Sequence, residues 1–458
     1  MRAIKADRRF TLRSLAASAL IFGLALAAAP RPAMAEELAE RVDKLEAKVN
    51  EITKEETSKD KGITLGGFRF QPYGFIKVDA CHDDSRAFNG DFIAWVLQET
   101  NSPSDLRFQA RPDTNEFSLT ANQSRLDLKV VAPKYNDIET TGLFEIDFYG
   151  NVINRVSNTV TELGGPDNKP SVLVRHAFVE MKQGTWGLLL GQTHDPISLQ
   201  WCDTWNYFVG WNAGNPGYRR PQVRVTKDVP LGDGSRIALW TGFMRTIEDL
   251  KFTRAGEDVG WPTLFARAAW QKPMFGKELL VAASGHYGKE EVQSGSTTLT
   301  PPAVAGEARR QIESWSGNLE LIVPLPHGLW LKGEGFYGET LGNYFAGIGQ
   351  SFNPDSMRGI HSWGGWGQLG WVASDKLRFH AGATIDNPRN GDLIRDSESA
   401  NRFTANRSLN RSFYGNFMYN LTPAVTVGYE ISHWLTQYSD GNGNGTDLRH
   451  QVSAMYKF

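Results

Sequence analysis

From residue 66 onward, apolar and polar side chains alternate in runs bounded by clusters of Gly, Pro, Asn and Asp. A period of two sends successive side chains to opposite faces of a strand, so each run carries one apolar and one polar face. The last run shows this plainly: Val452, Ala454, Tyr456 and Phe458 fall on one side, and Arg449, Gln451, Ser453 and Lys457 on the other. The pattern predicts strands near 66–80, 116–131, 138–149, 171–182, 186–193, 221–228, 236–244, 262–271, 278–288, 312–323, 329–338, 362–373, 376–385, 408–420, 425–436 and 448–458. An even number of strands, about sixteen, with alternating apolar and polar faces is the signature of an all-β chain forming a transmembrane antiparallel up-and-down β-barrel.

The connections alternate in length, as a membrane barrel requires. Short ones, such as Pro133 to Asp137, Gln183 to Thr185, Val229 to Ser235, Pro324 to Gly328, Ala373 to Asp375 and Leu421 to Ala424, are expected as periplasmic turns. Long ones at 81–115, 150–170, 194–220, 289–311, 339–361, 386–407 and 437–447 are expected outside the cell. Parity then assigns faces. Leu126, Leu128 and Val130, like Phe144, Ile146 and Phe148, are expected to meet lipid, with Trp363, Trp371, Tyr337, Tyr419, Tyr429 and Tyr456 as interfacial girdles. Lys77, Asp79, Gln123, Arg125, Asp127, Lys129, Glu145, Asp147, Arg224, Arg267, Glu320, Lys332, Glu334, Arg378, His380 and Glu430 are expected to face a water-filled lumen.

The first 61 residues obey other rules. Residues 1–35 combine Arg8, Arg9 and Arg13, an apolar run from Leu15 to Ala29, and Ala33-Met34-Ala35, the three parts of a cleaved signal peptide. The run is too short to span a bilayer. In residues 36–61, Leu38, Val42, Leu45, Val49 and Ile52 recur at alternating spacings of four and three, an a/d seam. Helices this short are marginal alone, so a periplasmic coiled coil held by an oligomer is expected, with a solvated helix or linker as the alternative. The barrel domain then covers 62–458.

Composition narrows the chemistry. The chain has 49 Lys and Arg against 51 Asp and Glu, a formal net charge of −2, and the basic leader contributes to that balance. Bulk charge therefore indicates no nucleic-acid partner, and ion preference must come from local placement. No G-x-S-x-G elbow, P-loop or H-E-x-x-H occurs, so no enzyme, metal or cofactor is expected. Asp440 to Thr446 imitates the start of a calcium loop, but its twelfth position is Gln451 instead of a bidentate Glu, and a Gly/Asn turn is expected.

Two constellations stand out. The loop between His194 and Arg220 holds Asp195, Trp201, Asp203, Trp205, Tyr207, Phe208 and Trp211. A loop so aromatic needs burial; it is expected to fold into the lumen and narrow it, the alternative being a subunit contact. The two cysteines, Cys81 and Cys202, both fall outside the predicted strands, and a disulfide pinning the loop is one expectation, two unrelated thiols the other. Lumen-parity Lys77, Arg125, Lys129, Arg224, Arg267, Lys332 and Arg378 form either a track for anions or the cationic halves of cross-strand ion pairs.

Several segments resemble a known family: Pro72-Tyr-Gly-Phe-Ile-Lys-Val-Asp-Ala80, Gln123-Ser-Arg-Leu-Asp-Leu128, Phe144-Glu-Ile-Asp-Phe148, Val174-Arg-His-Ala-Phe-Val179, Leu189-Leu-Gly-Gln-Thr193 and Gly217-Tyr-Arg-Arg-Pro-Gln222. Over roughly 66–225 the chain is similar to the DcaP-like outer-membrane porins. The resemblance implies a homotrimeric sixteen-stranded porin of a Gram-negative outer membrane, with an N-terminal coiled coil, passing small anionic solutes such as dicarboxylates. It also implies pore roles for Arg125, Arg175, Arg219 and Arg220. By parity alone Arg175 falls with Ala177, Val179 and Met181 on the outer face, and turns inward only through a bulge. A terminal Phe458 resembles the signal such barrels present to their assembly machinery. A second class of function is a tethering barrel whose coiled coil contacts periplasm or cell wall.

Overall fold

Alternation over sixteen segments produces sixteen barrel strands among the described residues, which in this computed structural model are 62–103, 109–150, 170–247, 259–293, 309–353, 356–394, 406–441 and 443–458. The expected leader (1–35) and coiled coil (36–61) lie outside them. Residues Thr64–Phe458 form one compact unit. Its strands are β1 (Phe68–Asp83), β2 (in two pieces, Glu116–Thr120 and Arg125–Val131), β3 (Ile138–Asp147), β4 (Leu173–Gln183), β5 (Trp186–His194), β6 (Arg219–Pro230), β7 (Arg236–Met244) and β8 (Thr263–Met274). They continue as β9 (Lys277–Gln293), β10 (Arg309–Pro324), β11 (Leu329–Glu339), β12 (His361–Val372), β13 (Leu377–Pro388), β14 (Arg407–Asn420), β15 (Val425–Tyr438) and β16 (Gly445–Lys457).

Each strand pairs antiparallel with the next, and β16 returns to β1, with Ile76 opposite Tyr456 and Val78 opposite Ala454. Closure leaves no free sheet edge. The chain end is part of it: the Gly74 amide donates to the Phe458 carbonyl at 3.3 Å and the Phe458 amide to the Gly74 carbonyl at 3.2 Å. Tight turns close the periplasmic side. Between β8 and β9 the turn is only Phe275–Gly276, both at positive φ (48° and 74°), the backbone that a two-residue hairpin demands.

The outer parity is apolar and exposed, including Leu126, Phe144, Leu239, Leu319, Leu369, Phe413 and Val452, with Tyr337, Trp363, Trp371 and Tyr456 among them. At about 25 cal/mol per Å² of apolar surface, such a girdle calls for an apolar surround. The buried apolar core lies inside the barrel, where long loops fold inward. Loop 1 (84–115), loop 3 (195–218) and loop 6 (340–360) meet in a cluster of Phe92, Ala94, Trp95, Tyr207, Phe208, Trp211, Phe345 and Ile348, joined by Tyr149. Parts of three long loops thus pack against one another instead of standing free of the barrel.

Candidate functional site: a lumen crossed by loop 3

Loop 3 leaves the wall at Asp195 and rejoins it at Arg219, and its neck is clamped. Asp195 and Arg220, both fully buried, form an ion pair, with Nη2 donating to Oδ2 at 2.9 Å, and the Tyr218 amide donates to the same carboxylate at 2.8 Å. The Arg220 guanidinium lies 3.9 Å from the centre of the Tyr344 ring of loop 6. Asp195 and Arg220 thus hold the loop's ends together.

From the neck the loop crosses to the far wall, where inward side chains grip it. Glu334 on β11 accepts from the Gln200 amide at 2.7 Å, from the Ser198 hydroxyl and from the Trp366 indole at 3.0 Å. Gln368 on β12 accepts from the Asp203 amide at 2.7 Å and donates to its carboxylate at 2.6 Å, while Lys332 sits 3.6 Å from that carboxylate. Glu430 on β15 accepts from the Thr204 hydroxyl at 2.6 Å and the Trp205 amide at 2.9 Å. The Trp205 carbonyl accepts from Lys77 on β1 at 2.8 Å and Gln451 on β16 at 3.0 Å. Farther on, the Tyr207 hydroxyl donates to Asp147 on β3 at 2.9 Å. Such bonds satisfy buried polar groups that would be costly to leave without partners.

The Trp205 indole needs a seat, and Gly428 on β15 provides it. A Cβ there would stand 2.5 Å from Trp205 Nε1, which donates to the Phe417 carbonyl at 3.1 Å. Trp201 instead stacks obliquely on His194, with centroids 4.7 Å apart. Burial pushes the Tyr207 hydroxyl and the Cys202 thiol up, so both stay protonated.

The expected disulfide is absent: Cys81 and Cys202 are free, and both are buried. β1 runs to Asp83, so Cys81 lies within a strand, opposite Gln451 and Ser118. Cys202 packs against Trp366 of β12 and Tyr414 of β14, on a different stretch of wall.

The expected cation track resolves into paired and unpaired groups. Arg175 turns inward because β3 and β4 shift register there: Glu145 faces His176 and Ile146 faces Val174, leaving Arg175 as the extra residue of a bulge. It is buried, and pairs with Glu145 and, at 2.6 Å, Asp147. Lys77 pairs with Asp79 at 3.0 Å, Arg125 with Glu145 at 3.4 Å, and Arg267 with Glu320 through two bonds of 2.8 Å. Arg219 is sealed between Trp211 and Tyr218, its Cζ 5.4 and 5.1 Å from their centroids, and none of its nitrogens has a hydrogen-bond partner among the described residues. Arg219 and Arg220, expected in the pore, are therefore buried at the base of the loop. Lys129, Arg224 and Arg378 make no hydrogen bond or close ion pair with a carboxylate among the described residues, and only longer-range attraction links Arg224 to Glu180 of β4.

The inward parts of loops 1 and 6, the gripping role of Glu334 and Glu430, and the seat at Gly428 escaped the sequence reading. The signal that singled out loop 3 was present for the other two loops: Phe92-Ile-Ala-Trp-Val-Leu97 and Tyr344-Phe-Ala-Gly-Ile348 are apolar runs inside loops.

No family model and no curated protein sequence matches the chain. Solved structures do. The outer-membrane channel DcaP of Acinetobacter baumannii superposes with a TM-score of 0.63 at 17% identity, over 87% of this chain and 100% of that one. OprB of Pseudomonas putida gives 0.52 at 13% identity (85% and 94% covered), and an anion-selective porin from Comamonas acidovorans 0.51 at 10% identity (85% and 100%). The chain has the fold of these outer-membrane channels. Its closed barrel and outward apolar girdle are those of a membrane-spanning β-barrel.

Proposed function

We propose that the chain is a porin through which small hydrophilic anions, dicarboxylate-like in charge and size, diffuse passively past a constriction made by loop 3. One observation carries the reading: the lumen cations Lys129, Arg224 and Arg378 have no hydrogen bond or close ion pair to a carboxylate among the described residues, whereas Glu334 and Glu430 turn their oxygens to loop amides and hydroxyls. A surplus of positive charge between low-dielectric walls concentrates anions and favours their passage. The near-neutral total charge does not oppose this, because the field in a narrow pore is local.

The proposal includes a homotrimer and recognition of the chain end by the assembly machinery, supported by the outward-facing, exposed Phe458. Reversal potentials across a KCl gradient in planar bilayers test it. Anion preference that falls when Lys129, Arg224 and Arg378 are replaced together supports the reading; cation preference in the unmodified protein refutes it, and absence of stepwise channels removes the porin itself. Cross-linking of the unheated protein reads the trimer.

A further inference from the structure

We propose that the inner wall of β6–β8 carries a subsite for amphipathic organic anions, an aromatic monocarboxylate in the simplest case, built from the Arg224 guanidinium and the Trp240 indole. The subsite rests on the porin reading and adds to it a class of solute that a purely electrostatic pore does not distinguish.

Trp240 is half-buried and packs on a floor of Ala238, Ala269, Leu280 and Ala282. Two guanidiniums flank the one ring: Cζ of Arg224 lies 4.2 Å from its centroid and Cζ of Arg267 5.0 Å. They differ in what their charge meets. Arg267 is neutralised by Glu320 through both of its bonds at 2.8 Å. Arg224 is more than nine-tenths buried and has no hydrogen bond or ion pair among the described residues; the carboxylate that acts on it at longer range, Glu180 of β4, is paired with Lys182 at 3.1 Å, and the Arg224 Nε is sealed without a partner, so its terminal nitrogens remain for a ligand. A buried guanidinium left without an acceptor is costly unless something supplies one.

The place in the barrel is defined as well. Gln222, two residues closer to the extracellular end of β6, donates to the His194 carbonyl at 3.0 Å, and Ser284, opposite Arg267, donates to the Ile197 carbonyl at 2.5 Å. The pair Arg224–Trp240 therefore sits under the neck of loop 3, on its periplasmic side. A carboxylate docked on Arg224 would bring a flat apolar body against the indole and its apolar surround. Acetate would gain the charge contact alone.

The test uses the full-length protein in planar bilayers, with benzoate or acetate added from the periplasmic side. Expected is a current block by benzoate at concentrations where acetate gives none, a half-blocking concentration raised about tenfold or more in Arg224→Met, and loss of the benzoate-over-acetate preference in Trp240→Leu. Should Arg224→Met fail to assemble, Trp240→Leu, which keeps every charge, decides: an unchanged preference overturns the subsite. Conducting wild-type channels blocked equally by the two acids refute the subsite alone, whereas wild-type protein without channels refutes the porin reading beneath it.

Discussion

The two walls of the lumen use their polar side chains differently. On β11, β12, β15, β16 and β1, Glu334, Gln368, Glu430, Gln451 and Lys77 point inward and are engaged by the backbone and hydroxyls of loop 3. On β2–β4, inward groups bond mainly to each other across strands, as in the Arg125–Glu145–Arg175–Asp147 chain. The contrast teaches that an inward charge is not yet a pore charge. Whether it meets solute depends on which wall the inserted loop covers, and carboxylates used as loop acceptors are withdrawn from the lumen's effective charge.

The contrast breaks most severely at Arg175. Arg175→Met would leave Asp147 buried without its cation and Glu145 with Arg125 alone, at a cost of about 3–5 kcal/mol, read as loss of the heat-resistant folded form on electrophoresis. The bulge itself would then have no reason to turn inward. On the gripping wall, Gly428→Ala puts a methyl against the Phe417 carbonyl and 2.5 Å from Trp205 Nε1; overpacking of about 1–3 kcal/mol is expected to strain the β14–β15 pair and loosen loop 3 together, seen as a less heat-resistant folded form and greater open-channel noise. Thr204→Val removes one bond to Glu430, about 1–2 kcal/mol, and is expected to give a weaker version of the same noise. Smallest of all, neither cysteine is expected to react with a membrane-impermeant thiol reagent until the protein is unfolded, and reductant is expected to leave its mobility unchanged, because both thiols are free and buried.

Strand positions were legible in the sequence because lipid outside and polar groups inside enforce a period of two along every strand, so that Val78 and Ala454 fall on the outer face by parity, while their pairing across the closing seam is set by the register. Parity failed where the backbone inserts one residue: nothing in Val174-Arg-His-Ala marks a bulge, and only the ion pairs to Glu145 and Asp147 explain it. Loop 3 announced its burial through its aromatics. Its path did not follow from sequence, since Ser198, Asp203 and Thr204 meet residues more than 130 positions away. The disulfide expectation failed for the same reason, as two cysteines define a bond only when their places on the wall are known.

The central claim is that loop 3 occupies the lumen and sets the size of the path through it. Single-channel conductance of a chain lacking residues 198–212 tests this most directly, because Asp195, Arg220 and the strands they join are left in place. The account predicts a clear rise in unit conductance with weaker ion selectivity. An assembled barrel whose conductance and selectivity equal those of the full-length protein would contradict it.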